Sequence, residues 1–163
     1  MAFYFYQKSV SNRLDQKNKN VTELWNDFKA DLKTRDSLLS VSISTCDSLK
    51  YWLQNSIHER ETKENNPDLV FYEYKVNEII MTHFPNQKQV LDFNIKLNND
   101  ISKYNSMTRE YNEYISIFPN FVVAKNHNYN RAKYFDITYG NINKDPTQKS
   151  KELPEWAKGI DTN

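Results

Sequence analysis

At 163 residues the chain has the length of one ordinary domain, long enough to bury a core, and its single cysteine, Cys46, has no intrachain partner for a disulfide. Only 2 glycines beside 14% aromatic residues argue against tight-turned β architecture and against a glycine-rich, phosphate-cradling loop. With 22 basic and 21 acidic side chains the net charge is +1, which removes the electrostatic reason for an obligatory nucleic-acid or acidic-membrane partner.

The amino terminus carries Ala2-Phe3-Tyr4-Phe5-Tyr6, an aromatic cluster far shorter than the roughly 20 apolar residues of a bilayer span and without a cationic flank before a long apolar run. It predicts neither a signal peptide nor a transmembrane helix. Residues 1–19 read as a separate aromatic and polar segment in which Phe3, Tyr4, Phe5 and Tyr6 pack on the domain or contact a partner. Dipping into a membrane interface is the alternative.

The first helix is predicted to begin near Val21, with Asn20 as its cap, and to carry Leu24, Phe28, Leu32, Leu38, Leu39, Leu49, Leu53 and Ile57 as a stripe. Its weak part is Ser40 to Ser48. There Val41 and Ile43 alternate with serines as in a strand, but no turn residues flank them and the passage reads as helix. The charged run His58-Glu59-Arg60-Glu61-Thr62-Lys63-Glu64 is a solvated helix end, and Asn65-Asn66-Pro67 stops one helix and starts the next.

The second helix runs from Pro67 to about Phe84, where Pro85 ends it. Asn86 then caps a third, from Gln87 to about Phe118, with Val90, Leu97, Tyr104, Tyr111 and Phe118 at heptad spacing. At 1.5 Å per residue it is about 50 Å long, and so narrow a stripe needs another long helix as its antiparallel or parallel mate. Within it Tyr104-Asn105 repeats as Tyr111-Asn112, and Phe118-Pro119 follows one heptad later. The two tyrosines place rings in a seam, and Asn105 and Asn112, one step round, are positioned to bridge to a neighbouring helix. An aromatic ligand groove is the functional alternative.

Beyond Pro119, Phe121-Val122-Val123-Ala124 and Lys133-Tyr134-Phe135 are apolar enough to fold back on the bundle. Residues 140–163 are polar, with Pro146, Pro154 and a solitary Trp156, and predict an extended or disordered tail. Trp156 docks either on a partner or on this domain. The predicted fold class is all-α: an elongated antiparallel bundle of three to four long helices over residues 20–139, followed by the polar tail.

Taken in order, these motifs resemble the LemA family, over about Ser11 to Phe135. The resemblance rests on Trp25, Phe28 and Leu32 followed by Lys33-Thr34-Arg35-Asp36 and Leu38-Leu39; on His58-Glu59-Arg60-Glu61-Thr62; on Phe84-Pro85, Phe93 and Leu97; on Arg109 with the twin Tyr-Asn pairs and Phe118-Pro119; and on Tyr134-Phe135. Several features depart from the family pattern. Members usually carry an amino-terminal transmembrane helix where Ser11-Asn12-Arg13-Leu14 here has no span ahead of it, and the proline usual after the leucine pair is absent. The stretch from Ser40 to Tyr51 is longer than in relatives and that from His58 to Phe84 shorter. The resemblance implies a helical bundle, anchored in bacterial membranes in typical members, with no established molecular activity.

No catalytic constellation stands out. The residues three before His58, His83 and His127 are Asn55, Ile80 and Ala124, so the Glu-x-x-His pairs of metal-binding bundles are missing. His58 belongs to a solvated helix end, Cys46 reads as a small buried apolar residue, and no serine sits in a glycine-flanked elbow. Arg35 and Asp36 read as an inter-helix ion pair or cap. The expectation is a non-catalytic interaction or scaffold protein, cytoplasmic or peripheral to a membrane, without cofactor or metal, acting through a protein partner or as a homo-oligomer. A ligand-binding module or enzyme with a pocket between the first and third helices is the alternative, and membrane attachment through the amino-terminal aromatic cluster a second.

Overall fold

The structure, a computed structural model, describes residues 2–39, 44–62, 65–85 and 88–152. Among these residues it holds six helices and no strand: α1 Ala2–Leu38, α2 Asp47–Thr62, α3 Pro67–His83, α4 Lys88–Ser116, α5 Asn120–Asn126 and α6 Pro146–Glu152. An all-α bundle is therefore what the sequence folds into. The predicted positions Phe3, Asn86 and Trp156 lie outside the described residues or side chains.

The first helix is longer at one end and shorter at the other than its sequence suggests. No glycine or proline interrupts residues 2–38, and Val10, Leu14, Val21, Trp25, Phe28 and Leu32 continue one buried stripe through the passage predicted to be a separate segment. Asn20 is consequently mid-helix and caps nothing. At the other end α1 stops at Leu38, where the Leu39 N–H bonds to both the Arg35 and the Asp36 carbonyls at 3.1 Å. Of the single helix expected through Ser40–Ser48, residues 40–43 lie outside the described residues; on either side α1 stops at Leu38, Cys46 is non-helical, and α2 opens afresh at Asp47.

Antiparallel pairing of α1 with α4 is fixed by contacts in reversed order: Lys17 meets Glu110 at 3.4 Å and Lys96 pairs with Asp31. Their facing sides form the main core, with Leu14, Phe28 and Leu32 of α1 against Leu97, Tyr104 and Tyr111 of α4. Hairpin α2–α3 packs on the far end, where Leu39, Leu49, Leu53, Val76, Ile80 and Val90 make a second core. Asn66 caps α3 by accepting from the Leu69 N–H at 2.9 Å, with Pro67 in its first turn. No described helix is long and apolar enough to cross a membrane.

After α5 the chain runs back along the α1–α4 pair in extended form from Tyr129 to Thr138. Phe135, Ile137 and Tyr139 enter the core while Tyr134, Asp136 and Thr138 face outward, the alternation of a strand with no sheet beside it. At Tyr139–Gly140 the chain turns, and Asn143 folds back to accept from the Thr138 N–H at 2.8 Å and donate to the Thr138 carbonyl at 2.9 Å. The tail predicted to be extended or disordered from Gly140 then becomes helical at Pro146, where Asp145 caps α6 by accepting from the Thr147 N–H at 2.8 Å.

Candidate functional site at the bundle seam

An extended run without a sheet must satisfy its backbone groups elsewhere. Here α4 supplies the partners. Asn112 accepts from the Ala132 N–H and donates to the Ala132 carbonyl, both at 2.9 Å. Asn105 does the same to Phe135 at 2.9 and 2.8 Å, and Asn98 to Tyr139 at 2.8 and 3.0 Å. Each primary amide thus stands in for the peptide group of a neighbouring strand. One heptad of helix advances about 10 Å, which three extended residues also cover, the step from Ala132 to Phe135. Asn77 of α3 continues the ladder, accepting from Gly140 N–H at 2.9 Å and donating to the Asn141 carbonyl at 2.8 Å. The Tyr104 hydroxyl donates to the Lys133 carbonyl at 2.7 Å, and Asn65 donates to the Lys133 and Tyr134 carbonyls. Asn105 and Asn112 therefore bridge to this extended run, and not to a neighbouring helix as their spacing predicts.

Trp25 sits at the centre of the same seam, with ring centroids 5.2 Å from Tyr104, 5.5 Å from Phe28 and 5.7 Å from Phe135. Of the predicted stripe, Tyr104 and Tyr111 are buried but Phe118 is 75% exposed, because α4 ends at Ser116 and the chain leaves the helical register before reaching it. The Phe118–Pro119 peptide bond is cis. Arg109 is exposed on α4, and Tyr134 is half exposed beside the fully buried Phe135.

Where α1 meets the hairpin, Arg35 is fully buried. Its guanidinium forks onto Glu73 at 2.5 and 3.1 Å and onto Asp36 at 2.7 and 3.1 Å, while Arg60 holds the other Asp36 oxygen. Ser56 and the Tyr139 hydroxyl also donate to Glu73, the latter at 2.7 Å, and the guanidinium lies 5.5 Å from the Tyr139 ring centre. Burial alone raises a carboxyl pKa, but Arg35 and Arg60, with the hydrogen bonds from Arg35 and Ser56, outweigh it and hold Glu73 down at about 2. Burial, reinforced by Glu73, pushes the Tyr139 phenol well up. Two cations and two carboxylates close this cluster, and Glu73 has no exposed surface, so the arrangement ties α1, α2, α3 and the extended run together.

Asn98, Asn77, Glu73 and Tyr139 escaped sequence reasoning, and Asn65 is read there only as a helix stop. For Asn98 a signal existed, since it stands one heptad before Asn105.

Two features of the seam remain open to solvent. A cavity of about 330 Å³ lies between α1, α4 and the start of the extended run, lined by Trp25, Tyr104 and Tyr111 together with Asn18, Thr22 and Asn130. At the end of the bundle, Tyr4 and Phe5 of α1, Ile117 and Phe118 of the α4–α5 turn and Phe121 of α5 are exposed, while Tyr6 donates to Asn120 at 2.7 Å and holds the two parts together. Among the described residues no group of three or more His, Cys, Asp and Glu side chains is placed to hold a metal ion. No protein-family model, curated protein or solved structure matches this chain.

Proposed function

We propose that this is a non-catalytic interaction and assembly protein on a LemA-like helical bundle, and that it associates with a second copy of itself through the end where α1 begins and α4 turns into α5. The observation that carries the reading is the gathering there of Tyr4, Phe5, Ile117, Phe118 and Phe121, exposed by 64%, 62%, 59%, 75% and 46%. None of the five is an acidic or basic side chain, and soluble monomers rarely leave so much aromatic surface together. A net charge of +1 leaves little repulsion between copies. The LemA part of the proposal is supported by the ordered motifs from Trp25 to Phe135, and the setting proposed with it is cytoplasmic or membrane-peripheral.

Light scattering of the full chain over a concentration series tests it. Wild type is expected at twice the monomer mass, and the double variant Phe118→Ser, Phe121→Ser at the monomer mass with unchanged helicity, since both side chains are exposed. A monomeric wild type that floats with anionic liposomes moves the reading to peripheral membrane attachment through the same aromatic end. A monomeric wild type that does not float rejects both.

A further inference from the structure

We propose that the cavity between α1, α4 and the start of the extended run binds a small, hydroxylated molecule bearing an oxyanion, in chemical class a sugar acid or sugar phosphate. Its volume of about 330 Å³ falls at the small end of the range for ligand sites, about 300–1,000 Å³. Trp25 lines it, is 95% buried by its 5% exposure, and carries an indole N–H with no acceptor. Unpaired buried donors are rare because the lost hydration costs about 1–3 kcal/mol, and this one, whose nitrogen lies beneath the cavity wall, pairs with a ligand acceptor once the lining shifts to admit it.

The rest of the lining points the same way. Asn18 and Asn130 offer amides able to donate and accept, and the Thr22 hydroxyl, which donates to the Asn18 carbonyl at 2.9 Å, can still accept, the complement of a polyhydroxylated body. Arg131 and Lys133 add two cations, and no Asp or Glu is among the described residues of the lining. Ser116 accepts from the Arg131 guanidinium at 2.9 Å, which fixes one of those cations in place. On the two flanking helices Glu110 pairs with Lys17, while Asp15 accepts from the hydroxyl of Tyr129, which itself lines the cavity. A lining with surplus donors and surplus positive charge selects acceptor-rich anions over neutral or cationic molecules.

Calorimetric titration of the full chain with glucuronate, glucose 6-phosphate and glucose keeps one hexose body and changes only the charged group. Saturable one-to-one binding of at least one anion, about tenfold or more tighter than glucose, is expected, and the tighter anion identifies the oxyanion as carboxylate or phosphate. Thr22→Trp plugs the cavity from an exposed position and Lys133→Ala removes an exposed cation, so each leaves the fold intact by circular dichroism and weakens binding about tenfold or more. Trp25→Phe keeps a ring but removes the N–H and is expected to weaken binding as well. Absence of saturable binding to either anion, equal binding of glucose, or binding indifferent to Thr22→Trp overturns the proposal.

Discussion

The amide of Asn105 grips the backbone of Phe135 from both sides, accepting its N–H at 2.9 Å and donating to its carbonyl at 2.8 Å, across 30 residues of sequence. A primary amide, which among side chains only Asn and the longer Gln carry, does this with one flat group, because it holds donor and acceptor in the geometry of a peptide. The Phe135 ring is thereby set against Trp25 and Phe28, and a chain segment with no sheet closes the core.

Replacing Asn105 with Leu leaves a buried N–H and carbonyl without partners, at about 1–3 kcal/mol for each group left unpaired. Asn105→Asp keeps the acceptor and loses the donor, so it should fall between wild type and Leu. Urea unfolding supplies the stability order, and hydrogen exchange at the Phe135 amide should accelerate in the Leu variant well before the helical amides of α4. Protection of that amide unchanged in Asn105→Leu would mean that the bracket contributes nothing.

The strand-like alternation makes a second prediction. Phe135 is fully buried, so Phe135→Ala should cost about 3–5 kcal/mol through lost transfer energy and the cavity left behind. Tyr134, 49% exposed, should tolerate Ala within about 0.5 kcal/mol. Comparable losses for the two neighbours would contradict the alternation and with it the extended run.

How far the sequence carries depends on which contacts are local. Helix α4 is legible because Val90, Leu97, Tyr104 and Tyr111 recur at the helical period, which is set by adjacent turns of one element. The extended run is not, although Phe135, Ile137 and Tyr139 alternate with polar residues, because its partners are side-chain amides on a helix and no second strand signals it. Glu73 is hidden for a similar reason: a glutamate within an amphipathic helix reads as a solvated face, and only folding brings it to Arg35, 38 residues away. Asn105 and Asn112 are conspicuous by spacing, yet their target could not be read until the chain after α5 was placed. Phe118 shows the opposite error, a periodic position that the end of α4 at Ser116 removes from the stripe.

Among the described residues, Gly140 is a glycine whose backbone requires it. Its φ is +77°, and a Cβ there would meet the Asn94 Nδ2 at 3.0 Å, while its N–H donates to Asn77. Gly140→Ala should destabilise by about 1–2 kcal/mol from the left-handed backbone alone. The Asn77 amide protons, observed by nuclear magnetic resonance, should exchange faster if the strain is relieved by lifting this end of the run. A variant as stable as wild type would place the turn in another conformation in solution.

The buried cluster predicts how acid acts on the fold. The Glu73 carboxyl stands at about 2 against an ordinary 4.5, so its folded-state pKa is depressed and its contribution is fully present above the ordinary value. As pH falls from about 4.5 towards 2 the unfolded chain takes up the proton first, and stability declines by an amount on the order of 3 kcal/mol over that window. Glu73→Gln removes this titration and leaves Arg35 buried without its main anion, so it should lower stability at pH 7 by about 3–5 kcal/mol and flatten the acid limb of the stability curve. Denaturant midpoints for both proteins between pH 7 and pH 2 check the two effects separately. A variant that loses stability at pH 7 but keeps the wild-type acid slope would assign that slope to other carboxylates, since Arg35 and Arg60 would then not be holding Glu73 ionised.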